Sequence, residues 1–269
     1  MKKILFIIGS YLIIQSGLGL LMQVFIMISA PQNNLTTNST IPSDYLLPLL
    51  LACSILTALA TILICGKGFR TPFEWKARGQ NKPVILLLSL ITSVPLIIFT
   101  NGLVEMLNLP DVLQDNFADM SQAPLALFVM ALVGPLSEEI CFRYGITGTL
   151  IRQMPRMCNI AIVVSALIFG LIHLNPAQIL NATILGLFFA WLYVKTRSIW
   201  PSVVCHVVNN TIAVVLFQTQ NADTKLSDIL PSPVYTYLLI AISIAVAIPL
   251  LFVLNKQMTT TQKLKTTSR

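Results

Sequence analysis

The most informative residues of the sequence are two adjacent carboxylates, Glu138 and Glu139, followed by the guanidinium of Arg143 inside a long apolar run. A charged side chain near the centre of a membrane helix disfavours insertion by roughly 2.5 to 3.5 kcal/mol, so a function is expected for it. In a helix, Glu139 and Arg143 share a face and can pair, whereas Glu138 points about 100° away. We therefore expect Glu138 to face a cavity and accept a proton there. Pro135 predicts a break or kink just before the acidic pair, which would make room for water.

Both histidines of the chain also lie in apolar runs. His173 follows Phe169 by four positions, and Asn210 follows His206 by four, so the members of each pair share a helix face. A single buried histidine is as well explained by a hydrogen bond in the core. Two histidines, an acidic pair and an asparagine in three separate runs are better explained by one shared polar cavity. Such a set can polarise a water molecule and stabilise an oxyanion.

The expected depths of these groups do not agree at first sight. Counting along the apolar runs places His206 near the inner surface, His173 near the outer end and Glu138 about midway. One cavity therefore requires that the fifth run ends elsewhere than predicted, that the helices tilt strongly, or that Gly145 and Gly148 end the fourth helix early.

The composition is that of a membrane protein. The 269 residues are 55% hydrophobic and 10% charged, and the mean hydropathy is +0.80, whereas a soluble domain is roughly 25% charged. The longest polar stretches, 31–44, 66–83 and 256–269, leave no room for a soluble domain. A helix needs about 20 apolar residues to cross a bilayer, and eight runs approach or exceed that length: 4–30, 45–65, 84–107, 124–151, 158–174, 178–194, 199–218 and 234–255. We predict one all-α domain over 1–269, a polytopic helical bundle of about eight transmembrane helices with the chemically informative residues in 124–218.

The distribution of positive charge predicts the orientation. All Lys and Arg residues except Lys225 and Arg143 fall in the termini or in the connections on one side of the predicted bundle. The positive-inside rule then places both termini in the cytoplasm. The net charge of +7 thus reflects topology, and no nucleic-acid surface is indicated. We expect an integral multi-pass protein of the cell membrane, with the lipid bilayer as its surroundings.

Three spacings together resemble a known family. Residues 138–143 match EExxxR, 169–173 match FxxxH, and 206–210 match HxxxN, in the order seen in the CPBP family of intramembrane proteases. That family includes the CAAX prenyl endopeptidases of the Rce1 type and bacterial proteins linked to bacteriocin processing and self-immunity. The resemblance covers 138–210, and no motif is recognised before it.

The resemblance implies an intramembrane endopeptidase that acts on a membrane-associated protein or peptide precursor. In this family a glutamate similar to Glu138 activates the attacking water. His173 and His206 are similar to the two essential histidines of the family. Asn210 matches an asparagine that helps to hold the oxyanion, and Glu139 and Arg143 match two supporting residues.

The sequence leaves a metal open. Glu138, His173 and His206 offer two nitrogens and one oxygen, as in catalytic zinc sites with an open fourth position, but the chain contains no HExxH motif. We favour a reaction without a cofactor, because a glutamate that binds the metal cannot also be the base and because Glu139 is expected to pair with Arg143.

Three other functions are compatible with parts of this pattern. Buried acids and histidines also form the proton relays of coupled transporters, although no inverted repeat is apparent. A bacteriocin-immunity protein of the same fold would act by binding alone. A cysteine nucleophile at Cys141 or Cys205 would need a base to form the thiolate, and no base is evident for either residue.

Overall fold

The structure, a computed structural model, describes residues 2–29, 43–68, 83–114, 120–123, 125–219, 227, 230 and 232–267. Within these ranges the chain is helical and contains no strand. Each predicted apolar run corresponds to one helix, and the eight helices are α1 (Lys2–Ser29), α2 (Ser43–Leu63), α3 (Pro83–Met106), α4 (127–153), α5 (Cys158–Leu171), α6 (Pro176–Thr196), α7 (Trp200–Thr219) and α8 (Pro233–Thr267). The predicted connections 31–44 and 66–83 lie mostly outside the described residues.

The helices confirm an all-α polytopic membrane protein. Five helical segments of the described chain are long and apolar enough to cross a membrane: Leu47–Lys67, Pro83–Met106, Pro176–Thr196, Trp200–Thr219 and Val234–Thr259. α5 is apolar but has 14 residues, and α4 carries the three charged residues discussed above. The cytoplasmic placement of both termini and the single-domain organisation stay predictions.

The central helix of the bundle is α4. Residues 139–151 are all buried, because α1, α2, α5, α6 and α7 pack around this helix. Residues 139–151 thus contact neighbouring helices instead of lipid, which explains how this part of α4 accommodates Glu139 and Arg143.

Of the predicted break or kink at Pro135, the break does not occur, since α4 continues through this residue. α4 consists of the π-helical stretches Leu127–Val133 and Ile140–Thr147, each followed by an α-helical stretch, Gly134–Glu139 and Gly148–Gln153. Gly134 N–H donates to the carbonyl of Val129, five residues earlier. This wider turn before the proline removes the conflict with regular α-helical hydrogen bonding, because the register has already shifted. Likewise, Gly145 and Gly148 do not end the helix.

The short α5 resolves the disagreement in depth. Its 14 residues extend about 21 Å at 1.5 Å per residue, less than the roughly 30 Å hydrocarbon core. α5 ends at Leu171, and the chain turns back through Leu174, whose φ of 52° is left-handed. His173 lies in this turn. The fifth span therefore ends earlier than the predicted 158–174, and it delivers His173 to the interior of the bundle.

α5 and α6 approach each other closely at Gly170. A Cβ atom at this position would overlap the hydroxyl of Thr183 and would lie 2.8 Å from the carbonyl oxygen of Ile179. Only glycine fits this crossing without displacement of one of the helices. The contact fixes the end of α5, and with it the two residues of the FxxxH motif.

Candidate active site

One cavity brings together the polar residues predicted from three apolar runs. Glu138 of α4, His173 after α5, and His206 and Asn210 of α7 line a cavity of about 390 Å³. The expected convergence on a shared cavity is therefore observed. Glu139 and Arg143 do not line it, and both lie behind its wall.

Glu139 and Arg143 form a fully buried ion pair within α4. Nε of Arg143 donates to Oε2 of Glu139 at 2.9 Å, and both side chains are 0% exposed. The terminal nitrogens of Arg143 make no hydrogen bond within the described part of the chain. The guanidinium instead lies 4.7 Å from the ring centre of Phe169 and 5.7 Å from that of Phe189, where cation–π attraction offsets part of the lost hydration. The predicted pairing within one helix is observed.

His206 lies between the two adjacent carboxylates. Its Nδ1 is 3.1 Å from Oε1 of Glu139, and its Nε2 is 3.6 Å from Oε2 of Glu138. An ionised carboxylate only accepts hydrogen bonds, so Nδ1 carries the proton shared with Glu139. The Nε2 atom consequently faces Glu138 and the cavity.

Aromatic rings fix the orientation of the His206 imidazole. Phe189 stacks on it with a centroid distance of 5.2 Å, and Phe169 meets it edge-on at 5.7 Å. The two rings that contact the guanidinium of Arg143 thus also pack against the imidazole. His206 is held by an ion pair on one side and by two rings on its flanks.

Glu138 differs from Glu139 in its surroundings. Its side chain is 24% exposed, and the distance of 3.6 Å to His206 is too long for a good hydrogen bond. An adjacent pair of glutamates is therefore divided into one buried, neutralised carboxylate and one that is open to the cavity. This division follows from the helical rotation between neighbouring residues, as the sequence predicted.

His173 is oriented by the backbone of its own motif. Its Nδ1 lies 2.8 Å from the carbonyl oxygen of Phe169, and since a carbonyl only accepts, Nδ1 carries the proton. Its Nε2 is thereby left to the cavity. The edge-on contact of the Phe169 and His173 rings, at 5.2 Å, places one phenylalanine between the two histidines.

Asn210 ties α7 to the first π-helical stretch of α4. Its Nδ2 donates to the carbonyl of Met130 at 3.0 Å, and its Oδ1 accepts from Asn209 at 3.1 Å. The hydrogen bond to Met130 uses one of the two amide hydrogens of Asn210, and the other can donate to a ligand in the cavity.

Sequence reasoning missed several polar residues of the cavity. They come mainly from helices without a recognised motif, and they are Tyr11 and Gln15 of α1, Asn101 of α3, Asp111 after α3, Gln178 and Asn181 of α6, and Asn209 of α7. The available signal was a carboxamide in an otherwise apolar run, since such a group is costly in lipid and is expected to face the bundle interior.

Metal binding would depend on how closely the candidate donor atoms are grouped. The described residues contain no group of three or more His, Cys, Asp or Glu side chains placed to hold one. Glu139 is occupied by Arg143 and His206, whereas Glu138 and the Nε2 atoms of the two histidines face the cavity. Cys141 and Cys205 are fully buried, and neither is among the described residues that line the cavity.

Fold and site define a polytopic helical membrane protein whose bundle encloses a cavity with a carboxylate and two histidines. Residues 120–212 match the family model described as type II CAAX prenyl endopeptidase Rce1-like. This segment contains all six predicted site residues, and its similarity to that family agrees with the resemblance that the three motifs predicted.

Two curated relatives each match part of the chain. The "Putative membrane peptidase YdiL" of Bacillus subtilis (strain 168) is 37% identical over 99 residues, which are 36% of this chain and 40% of that protein. The "Membrane-embedded CAAX protease MroQ" of Staphylococcus aureus (strain USA300) is 32% identical over 104 residues, 37% of this chain and 42% of that protein. The chain thus spans about two fifths of the length of each. No solved structure matches the chain.

Proposed function

We propose that this protein is an intramembrane endopeptidase that hydrolyses a peptide bond of a membrane-associated protein or peptide with a glutamate-activated water. The observation that carries the proposal is the open carboxylate of Glu138 beside His206 in a cavity that His173 also lines. The likeness of residues 120–212 to the Rce1-like family and to relatives named as membrane peptidases supports it.

Glu138 acts as the general base. A water molecule next to its carboxylate attacks the peptide carbonyl carbon, a C–O bond forms, and the proton of the water moves to Glu138. The carbonyl π electrons move to oxygen and give a tetrahedral oxyanion. When the oxyanion re-forms the carbonyl and the C–N bond breaks, the proton on Glu138 passes to the leaving nitrogen, so the products are a carboxylic acid, which then ionises, and an amine.

His206 acts together with the ion pair behind it. The carboxylate of Glu139 holds the imidazole by Nδ1 and stabilises its positive charge when Nε2 is protonated, as the buried acid of a Ser-His-Asp triad does. Arg143 fixes that carboxylate and neutralises it. Protonated Nε2 of His206 then donates to the oxyanion, and Glu139 and Arg143 are positioning residues.

Asn210 and His173 act on the oxyanion and on the attacking water, respectively. The free amide hydrogen of Asn210 is available as a donor to the oxyanion, and Nε2 of His173, whose Nδ1 donates to Phe169, can accept a hydrogen bond from the water. Preorganised donors are most effective in an enclosed, poorly solvated site, because they need no reorganisation when charge develops.

Hydrolysis in heavy-oxygen water tests this function directly. The purified protein in lipid vesicles is incubated with a set of apolar peptides of known sequence, and the products are read by mass spectrometry. An endopeptidase places one heavy oxygen in the new carboxylate of each cleaved peptide. A proton-coupled carrier, or an immunity protein that acts by binding, would give no such product, and that result would contradict the proposal.

Treatment with a chelator tests whether hydrolysis depends on a metal ion. The mechanism proposed here uses no metal, so hydrolysis should persist after exhaustive treatment with a strong chelator. Loss of activity that added Zn²⁺ restores would contradict this part of the proposal, while the endopeptidase function would stand.

A further inference from the structure

The cavity is acidic although the chain carries a net charge of +7. Two carboxylates, Glu138 and Asp111, lie among the residues that line it, and no Lys or Arg does within the described part of the chain. The nearby guanidinium of Arg143 adds no positive field, because it is paired with Glu139 behind the wall. No lining Lys or Arg compensates either carboxylate, and the charged form of His206 proposed above lies beside Glu138, so the negative charge of Asp111 remains available to a ligand.

Asp111 is held rigidly in the connection that follows α3. Its Oδ1 accepts hydrogen bonds from Nδ2 of Asn175 at 2.7 Å and from the N–H of Leu113 at 3.2 Å. The N–H of Ala177 donates to the carbonyl of Pro110 at 3.2 Å, so this connection is fastened to the start of α6. The carboxylate cannot swing away from the cavity without breaking these bonds.

The second carboxylate oxygen of Asp111 has no partner. Both hydrogen bonds to this side chain end on Oδ1, and within the described residues Oδ2 accepts none and forms no ion pair. Asn175, which supplies the strongest bond, is fully buried. The hydrogen bonds that hold Asp111 thus use Oδ1 alone, and Oδ2 is available to a ligand.

Neutral carboxamides also line the cavity and suit a peptide backbone. Nδ2 of Asn181 lies 3.3 Å from Oδ1 of Asn101, and both residues line the cavity with Gln178. Each carboxamide can donate and accept, as a peptide group does. Backbone recognition therefore needs no charge, and the charge of Asp111 is available for a side chain.

We infer that Asp111 determines substrate specificity by binding a cationic side chain, Lys or Arg, of the peptide whose cleavage is proposed above. The inference rests on the proposed function and names its substrate class: a peptide segment with a basic residue at a fixed distance from the scissile bond. The same field disfavours an acidic side chain or a free C-terminal carboxylate at that position. Poor solvation in the cavity strengthens both effects relative to a surface pair.

The test compares peptides that differ in one residue. Three series of peptides carry Lys, Gln or Glu, respectively, at one test position. Within each series the test position is moved one residue at a time away from the scissile bond. The value of kcat/KM is measured for each peptide with wild-type protein in vesicles. At one position the Lys peptide should be cleaved about 10-fold faster than the Glu peptide, which corresponds to about 1.4 kcal/mol, with the Gln peptide between them.

The decisive variant is Asp111→Asn. The amide oxygen of the new side chain can still accept from Asn175 and Leu113, so the fastening of the connection is kept. The preference for Lys over Glu should fall to about 2-fold or less. The control is Glu105→Gln, which removes one negative charge from the same end of α3. Its side chain accepts from Ser227 N–H and does not line the cavity, so the wild-type preference should remain.

The outcomes separate this inference from the proposed function. An unchanged preference in Asp111→Asn, or cleavage without any preference for Lys at any position, would overturn the specificity role and leave the endopeptidase function intact. Absence of hydrolysis of every peptide by wild-type protein would overturn both.

Discussion

Oε1 of Glu139 lies 3.1 Å from Nδ1 of His206, while the other oxygen of the same carboxylate binds Arg143. One fully buried carboxylate therefore neutralises a guanidinium and fixes an imidazole at the same time. The neighbouring Glu138, turned toward the cavity, has neither task. The two adjacent glutamates differ by helix face alone, and we assign the chemical step to the one without a fixed partner.

Loss of Arg143 should mainly impair folding. Arg143→Leu leaves Glu139 as a buried carboxylate without its cation, and breaking a buried pair in this way typically costs about 3 to 5 kcal/mol. The expected result is a low yield and a lower unfolding temperature in detergent, together with low activity. A well-folded Arg143→Leu protein with full activity would contradict the supporting role of this residue.

Removing both charges should separate stability from activity. In the double variant Glu139→Gln/Arg143→Met no buried charge is left unpaired, so the unfolding temperature should recover toward the wild-type value. Peptide hydrolysis should stay reduced by roughly 10²-fold or more, because His206 has lost the carboxylate that stabilises its charged form.

This prediction is checked by measuring thermal unfolding and kcat for the single and double variants side by side. Recovery of activity together with stability would show that Glu139 has no role beyond packing.

The close crossing at Gly170 should be intolerant of a side chain. Gly170→Ala forces the new Cβ against Thr183 and Ile179, and overpacking of this kind costs about 1 to 3 kcal/mol. Because the displaced end of α5 carries His173, kcat should fall as well. Thermal unfolding and hydrolysis measure the two effects.

The matched control is Gly9→Ala in α1. A Cβ at that position meets no atom within 4 Å, and replacing a helical glycine with alanine is typically stabilising by about 0.5 to 1 kcal/mol. Equal behaviour of the two variants would contradict the steric argument.

The helices could be predicted from the sequence because an apolar run that crosses a bilayer must satisfy its backbone hydrogen bonds internally, and a helix does so. The pairing of Glu139 with Arg143 could also be predicted, since a spacing of four fixes neighbours on a helix face. The resemblance of three motifs supplied the remaining candidate residues, and His173 and His206 line one cavity as expected.

The parts that could not be predicted depend on contacts between helices. Pro135 indicated a break or kink, but α4 continues past it after a π-helical turn. The end of α5 depends on a left-handed residue, Leu174, which no local pattern announces. The cavity residues of α1, α3 and α6, such as Gln15 and Asn101, are distant in sequence, and only the assembled bundle brings them to the site.

Replacement of Glu138 by glutamine tests the central claim most directly. Glu138→Gln keeps the size of the side chain and removes the base, and the 3.6 Å approach of the wild-type carboxylate to His206 contributes little to folding. Expression, unfolding temperature and peptide binding should stay close to wild type. The rate of peptide hydrolysis should fall by about 10² to 10⁴-fold, whereas the control Glu105→Gln should retain it. Undiminished hydrolysis by a correctly folded Glu138→Gln protein would contradict the mechanism.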